Sequence, residues 1–132
     1  MATAEEFDQL ACAFDEAASD VAVLLVELHR SCDASTLEGG RLTASVHAAF
    51  AADEAECARI AAGLRARADD CRARAAVARS YQEAMSEYHA QHERYVVARA
   101  RWDELDVADG TTLVRPPRRP TPPPDPPAWV TR

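Results

Sequence analysis

Tyr81-Gln-Glu-Ala-Met-Ser-Glu-Tyr88-His-Ala-Gln-His-Glu-Arg-Tyr95-Val-Val-Ala-Arg-Ala-Arg-Trp102 sets four large aromatic residues seven positions apart. Ala84, Ala98 and Leu105 fill three of the positions three residues further on. A seven-residue apolar repeat is the mark of a helix whose seam lies against another helix. The stretch is rich in Ala, Arg and Glu, which favour helix, and contains neither Gly nor Pro.

The same texture extends backward. From Arg41 to Asp109 there is no Pro and one Gly, Gly63. A single Gly costs about 1 kcal/mol in a helix and does not by itself break one. No cluster of turn residues interrupts the run, so one helix is expected over about 41–105, with Asp109-Gly110 as its stop. Upstream, Phe7, Leu10, Phe14, Ala17, Val21, Leu24 and Leu28 alternate steps of three and four, which predicts a first helix over about 3–32. Thr3 with Glu6 forms a capping box, and acidic residues crowd the first turn as the helix dipole prefers. Leu37, Gly39 and Gly40 mark the turn between the two helices.

The expected fold is therefore all-α: an antiparallel helical hairpin with a long second helix, occupying residues 1–108. Phe7, Leu10, Phe14, Val21, Leu24 and Leu28 of the first helix should meet Val46, Phe50, Ile60 and Leu64 of the second. With the fold-back near residue 37, facing residue numbers sum to about 75, which sets Glu16 beside Arg59 and Asp8 beside Arg67. Charge agrees with the antiparallel arrangement: residues 1–35 carry eight acids and one base, whereas 59–79 carry six Arg and two Asp. At roughly 1.5 Å per residue the second helix is about twice the length of the first. Its aromatic end is then an overhang, and Tyr81, Tyr88, Tyr95, Trp102 and Leu105 become the expected interface with a second chain. Two hairpins would pair into a four-helix-type dimer. A break near Gly63 or Asp69-Asp70, folding the end back as a third helix, is the alternative.

The rest of the composition bounds the chemistry. All eight prolines fall between Pro116 and Pro127, so residues 109–132 read as a disordered, partly polyproline II tail with several PxxP spacings. The chain has no Lys, no Asn and one Ile, a bias toward GC-rich codons such as actinobacterial genomes show. A net charge of −7 and an isoelectric point near 5.0 argue against nucleic-acid binding. No apolar run is long enough to span a membrane, and no secretory signal peptide is visible. The four cysteines, 12, 32, 57 and 71, form no CxxC pair and read as small hydrophobes. In the expected register Cys12 and Cys71 are out of step for a disulfide. His89 and His92 lie three apart beside Glu93, but the Glu-x-x-His pairing of a di-iron bundle is missing. No catalytic grouping or phosphate-binding loop occurs, so no enzyme activity, metal, cofactor or small-molecule substrate is expected. The expected partner is a helical protein, the same chain or another; the alternative is a homodimeric coiled-coil scaffold with a Pro-rich docking tail.

Thr36-Leu37-Glu38-Gly39-Gly40, then Ala48-Ala49-Phe50, then an Ala/Arg/Glu-rich helix ending in tyrosines, resembles the WXG100 or ESAT-6-like family. That resemblance covers roughly residues 5–90. It implies a non-enzymatic helical hairpin that pairs as a four-helix dimer, binding another hairpin or an effector's helical region. It also implies a cytoplasmic protein exported by a type VII secretion system without a cleaved signal peptide. The chain departs from the family pattern at the turn, where Leu37-Glu38-Gly39 lacks the Trp. It departs again at the Tyr-x-x-x-Asp/Glu export signal: Tyr81, Tyr88 and Tyr95 are followed at four by Met85, His92 and Arg99, and only Trp102 meets an acid, Asp106.

Overall fold

The structure, a computed structural model, describes residues 2–33, 41–109 and 115–130, without the side chains of 32–33, 41–43 and 106–109. Two helices account for most of it: α1 (Ala4–Asp33) and α2 (Arg41–Asp109). They form a helical hairpin. The turn positions Leu37, Gly39 and Gly40 lie outside the described residues.

α2 is one uninterrupted helix of 69 residues. The two places where a break was conceivable are helical for identifiable reasons. Gly63 is a single exposed glycine. Asp69 and Asp70, which could have capped a new helix, instead accept hydrogen bonds from Arg72 (3.1 Å) and Arg74 (2.9 Å). Pairs three and four apart along a helix face each support it by about 0.2–0.5 kcal/mol. Arg59 with Glu56, and Arg99 with Asp103, add two more.

The chain divides into two compact units, residues 4–75 and residues 1–3 with 76–132. In the first, α1 lies against the N-terminal part of α2. Its buried seam is built from small residues seven apart: Ala4, Ala11 and Ala18 on α1, and Ala61, Ala68 and Ala75 on α2. Phe7 and Cys71 are buried among them, while Phe14, Val21, Val46, Phe50 and Leu64 are half-buried. A methyl group at each contact lets two helices approach closely, since interaxial distance follows the size of the side chains between them.

The seam keeps Phe7, Phe14, Val21, Val46, Phe50 and Leu64 as expected but is shifted by one residue at four other positions. Leu10, Leu24 and Leu28, expected in the core, are exposed, and Ala11, Leu25 and His29 turn inward instead. On α2 the same substitution occurs: Ile60 is exposed and Ala61 is buried. The ladder of large side chains was the stronger hydrophobic signal, but the line of alanines beside it permits closer packing on both helices at once.

The register differs too. Arg72 donates a hydrogen bond to Asp15, and His29 lies 3.8 Å from Glu54 with its ring 5.1 Å from that of Phe50. Facing residue numbers therefore sum to 79–87 rather than about 75. Asp15, not Glu16, meets an arginine of the second helix, and that arginine is Arg72, not Arg59, which pairs with Glu56 of its own helix. The same register brings Cys12 level with Cys71, yet both are free thiols, Cys12 exposed and Cys71 buried.

In the second unit, α2 continues and residues 115–127 adopt neither helix nor strand. This segment is not a free end. Val130, only 2% exposed, pairs with Ala2 in an isolated parallel bridge and donates a hydrogen bond to the Pro127 carbonyl (2.9 Å).

Candidate partner-binding surface

The shift within the α1 seam leaves large apolar side chains outside the hairpin. Val23 is 55% exposed, Leu24 63%, Val26 55% and Leu28 42%. They belong to the run Val21-Ala22-Val23-Leu24-Leu25-Val26-Glu27-Leu28, in which Glu27 is the one polar residue. Successive residues on a helix point about 100° apart, so this run is apolar on every side. A helix that is apolar all round ordinarily sits wholly inside protein or lipid. Here one face, with Val21, Leu25 and His29 half-buried, serves the hairpin, and the others meet solvent.

Ala22, Val23, Val26, Glu27 and Arg30 line a shallow depression on this surface. Its apolar floor ends at Glu27 and Arg30, a charged rim of the kind that surrounds protein interfaces. Leu10, on the Leu24 side of the helix, extends the band toward the N-terminus. The sequence signalled this surface: Val21–Val26 is the longest apolar run in the chain, and its length disguises the fact that one hairpin face cannot bury all of it.

The aromatic residues expected to form the partner interface lie elsewhere. Tyr81, Tyr88, Tyr95 and Trp102 are half-buried within the second unit, and Leu105 is exposed. Met85, His92 and Arg99, four residues after each tyrosine, share their line, whereas Ala98 is exposed. From Tyr88 to Tyr95 neighbouring rings meet at tilted angles along α2. His92 lies 5.9 Å from Tyr88 and 6.1 Å from Tyr95, and the Arg99 guanidinium sits 4.6 Å from the centre of the Trp102 ring. A cation over an indole face is a favourable contact. His89 leans on Tyr88 at 5.7 Å, and the two histidines of this stretch engage rings rather than each other.

Among the described residues no group of three or more His, Cys, Asp or Glu side chains is placed to hold a metal ion. No helix of the described residues is long and apolar enough to cross a membrane. The charged groups with shifted proton affinity are pairs on exposed helix faces. Arg72 is raised by its hydrogen bond to Asp15, Arg59 by its bond to Glu56, and Glu56 is lowered by Arg59. Such pairs fix side-chain geometry and do not activate a nucleophile or a base.

No protein-family model matches the chain, and no curated protein or solved structure matches it either.

Proposed function

We propose that this protein is a non-enzymatic helical interaction module, and that it binds a second helical chain through the exposed apolar band of α1. The observation that carries this reading is the exposure of Val23, Leu24, Val26 and Leu28 in a single stretch. Isolated exposed hydrophobes are ordinary, but a contiguous group of them marks an interaction surface. A helix laid along the band would meet anchors at Val23, Val26 and Arg30, or at Leu24 and Leu28, which is helix-in-groove recognition.

The proposal extends to the WXG100 class of type VII secretion proteins. Its support is the sequence resemblance over residues 5–90 and the hairpin, the architecture that class uses. The absent Trp and the absent Tyr-x-x-x-Asp/Glu signal fit the role of the partner that travels with a signal-bearing chain. The aromatic ladder is a weaker interface than the α1 band on this reading, because its rings are half-buried within the chain itself.

Light scattering after size exclusion tests the reading on the full-length chain. A species near twice 14.4 kDa, reduced to one chain by Val23→Glu with Leu24→Glu while helix content is kept, supports self-pairing through the band. A dimer indifferent to both substitutions refutes the band as the interface. A monomer directs the test to a co-expressed helical hairpin, whose binding must be lost in the same double variant.

A further inference from the structure

The proline-rich segment 115–130 carries a period that its composition alone does not explain. Pro117, Pro120, Pro123, Pro126 and Trp129 are half-buried, and nearly all the residues between them are exposed. Burial at every third position is the signature of a polyproline II helix with one edge covered, because that helix has three residues per turn.

Within its unit the segment has one partner of sufficient length, the C-terminal part of α2. That part also has one half-buried line, Tyr81, Met85, Tyr88, His92, Tyr95, Arg99 and Trp102. The dimensions agree. Sixteen residues of polyproline II extend about 50 Å, and the helix from 76 to 109 extends about 51 Å. The repeat of the segment, about 9.3 Å for three residues, is close to the heptad rise of about 10.5 Å, so successive prolines can enter successive gaps between rings. Residues 110–114 join the two, and the six steps from 109 to 115 span at most about 22 Å, so the segment starts within that reach of the end of α2. Ala2 and Val130 close the far end.

We propose that the Tyr81–Trp102 face of α2 is a polyproline-binding track, and that residues 115–130 are its resident ligand. Aromatic-lined grooves take proline-rich segments because the polyproline II conformation is already formed before docking and little entropy is lost. The ligand class is therefore a proline-rich strand with an apolar residue at every third position, and the PxxP spacings of the tail are its recognition pattern. A tethered ligand has an effective concentration in the millimolar range, so a free peptide competes poorly until the resident tail is weakened. The track is independent of the α1 band, and either can fail without the other.

The test uses the full-length chain grown with 5-fluorotryptophan, whose two resonances, Trp102 and Trp129, are assigned with Trp129→Phe. The Trp129 resonance is expected away from its position in a free peptide of residues 115–130, and back at that position in Tyr81→Ala with Tyr88→Ala. Pro117→Gly with Pro120→Gly, which leaves both helices untouched, should move the Trp102 resonance. A fluorescein-labelled peptide of residues 115–130 should bind the Pro117→Gly, Pro120→Gly, Pro123→Gly, Pro126→Gly chain at least tenfold more tightly than the intact chain. A Trp129 resonance at the free-peptide position in the intact chain overturns the docking. A Trp102 resonance indifferent to the proline changes does the same, and equal or absent peptide binding by the two chains overturns exchange at the track.

Discussion

Asp15 accepts a hydrogen bond from the Nη2 of Arg72, a residue 57 positions away, while the other terminal nitrogen of the same guanidinium reaches Asp69 at 3.1 Å. One arginine thus ties α1 to α2 and is itself held in place from its own helix. A planar fork with two carboxylates has little freedom to slide, which makes this contact a pin for the register of the hairpin.

Reversing the pair checks that role. Asp15→Arg sets like charges together and should lower the thermal midpoint, whereas Asp15→Arg with Arg72→Asp should recover most of the loss. A double variant no more stable than Asp15→Arg alone would show that the register is set by the alanine seam alone. Thermal unfolding followed by circular dichroism at low ionic strength is the measurement, since salt screens exposed pairs.

The alanine seam makes a sharper prediction. Ala18 and Ala68 are both 0% exposed, so Ala18→Leu or Ala68→Leu should overpack the interface and cost about 1–3 kcal/mol. Phe7→Ala removes a buried ring and should cost about 3 kcal/mol or more, whereas Leu24→Ala, on the outer band, should stay within about 0.5 kcal/mol for the single chain. Urea unfolding of the four variants would tell the inner face of the hairpin from the outer face of α1.

How far the sequence disclosed this arrangement depends on the residue considered. Helix α2 was legible from end to end, because an absence of Pro and turn clusters over such a length has few other readings. The hairpin followed from the acidic first helix and the basic stretch after it. The shift from Leu10 to Ala11 was hidden because hydrophobicity ranks Leu above Ala, while the fit between two helices depends on the space each side chain needs. The half-burial of Pro117 and its repeats was hidden for a different reason. Proline-rich composition signals a segment without a core of its own, and says nothing of whether a ladder of rings elsewhere will supply one.

Gly63 offers an independent check on helix continuity. A Cβ added there meets nothing within 4 Å, so Gly63→Ala should stabilise the chain by about 0.5–1 kcal/mol, through propensity alone. A destabilising result would mean that the helix bends or opens at this point.

Acid should loosen α2 near its first third. The Glu56 carboxyl is held below its ordinary value of 4.5 by the hydrogen bond from Arg59. A lowered carboxyl contributes stability that is present above 4.5 and lost as the pH falls below it through the folded value. Circular dichroism between pH 6 and pH 3 should show a decline in helix signal that is smaller in Glu56→Gln; an identical decline would remove this pair from the account.

The seam of the hairpin also changes how kin of this chain are to be recognised. Two runs of three small residues, Ala4, Ala11, Ala18 and Ala61, Ala68, Ala75, fix the closeness of two helices without fixing the identity of anything around them. A remote homologue could exchange nearly every other letter and still need a small side chain at six places, seven apart within each run. Alignment scores weigh alanine lightly, since it is common. For this architecture the informative fingerprint is a spacing, and ancestry is better sought by that rhythm than by overall identity.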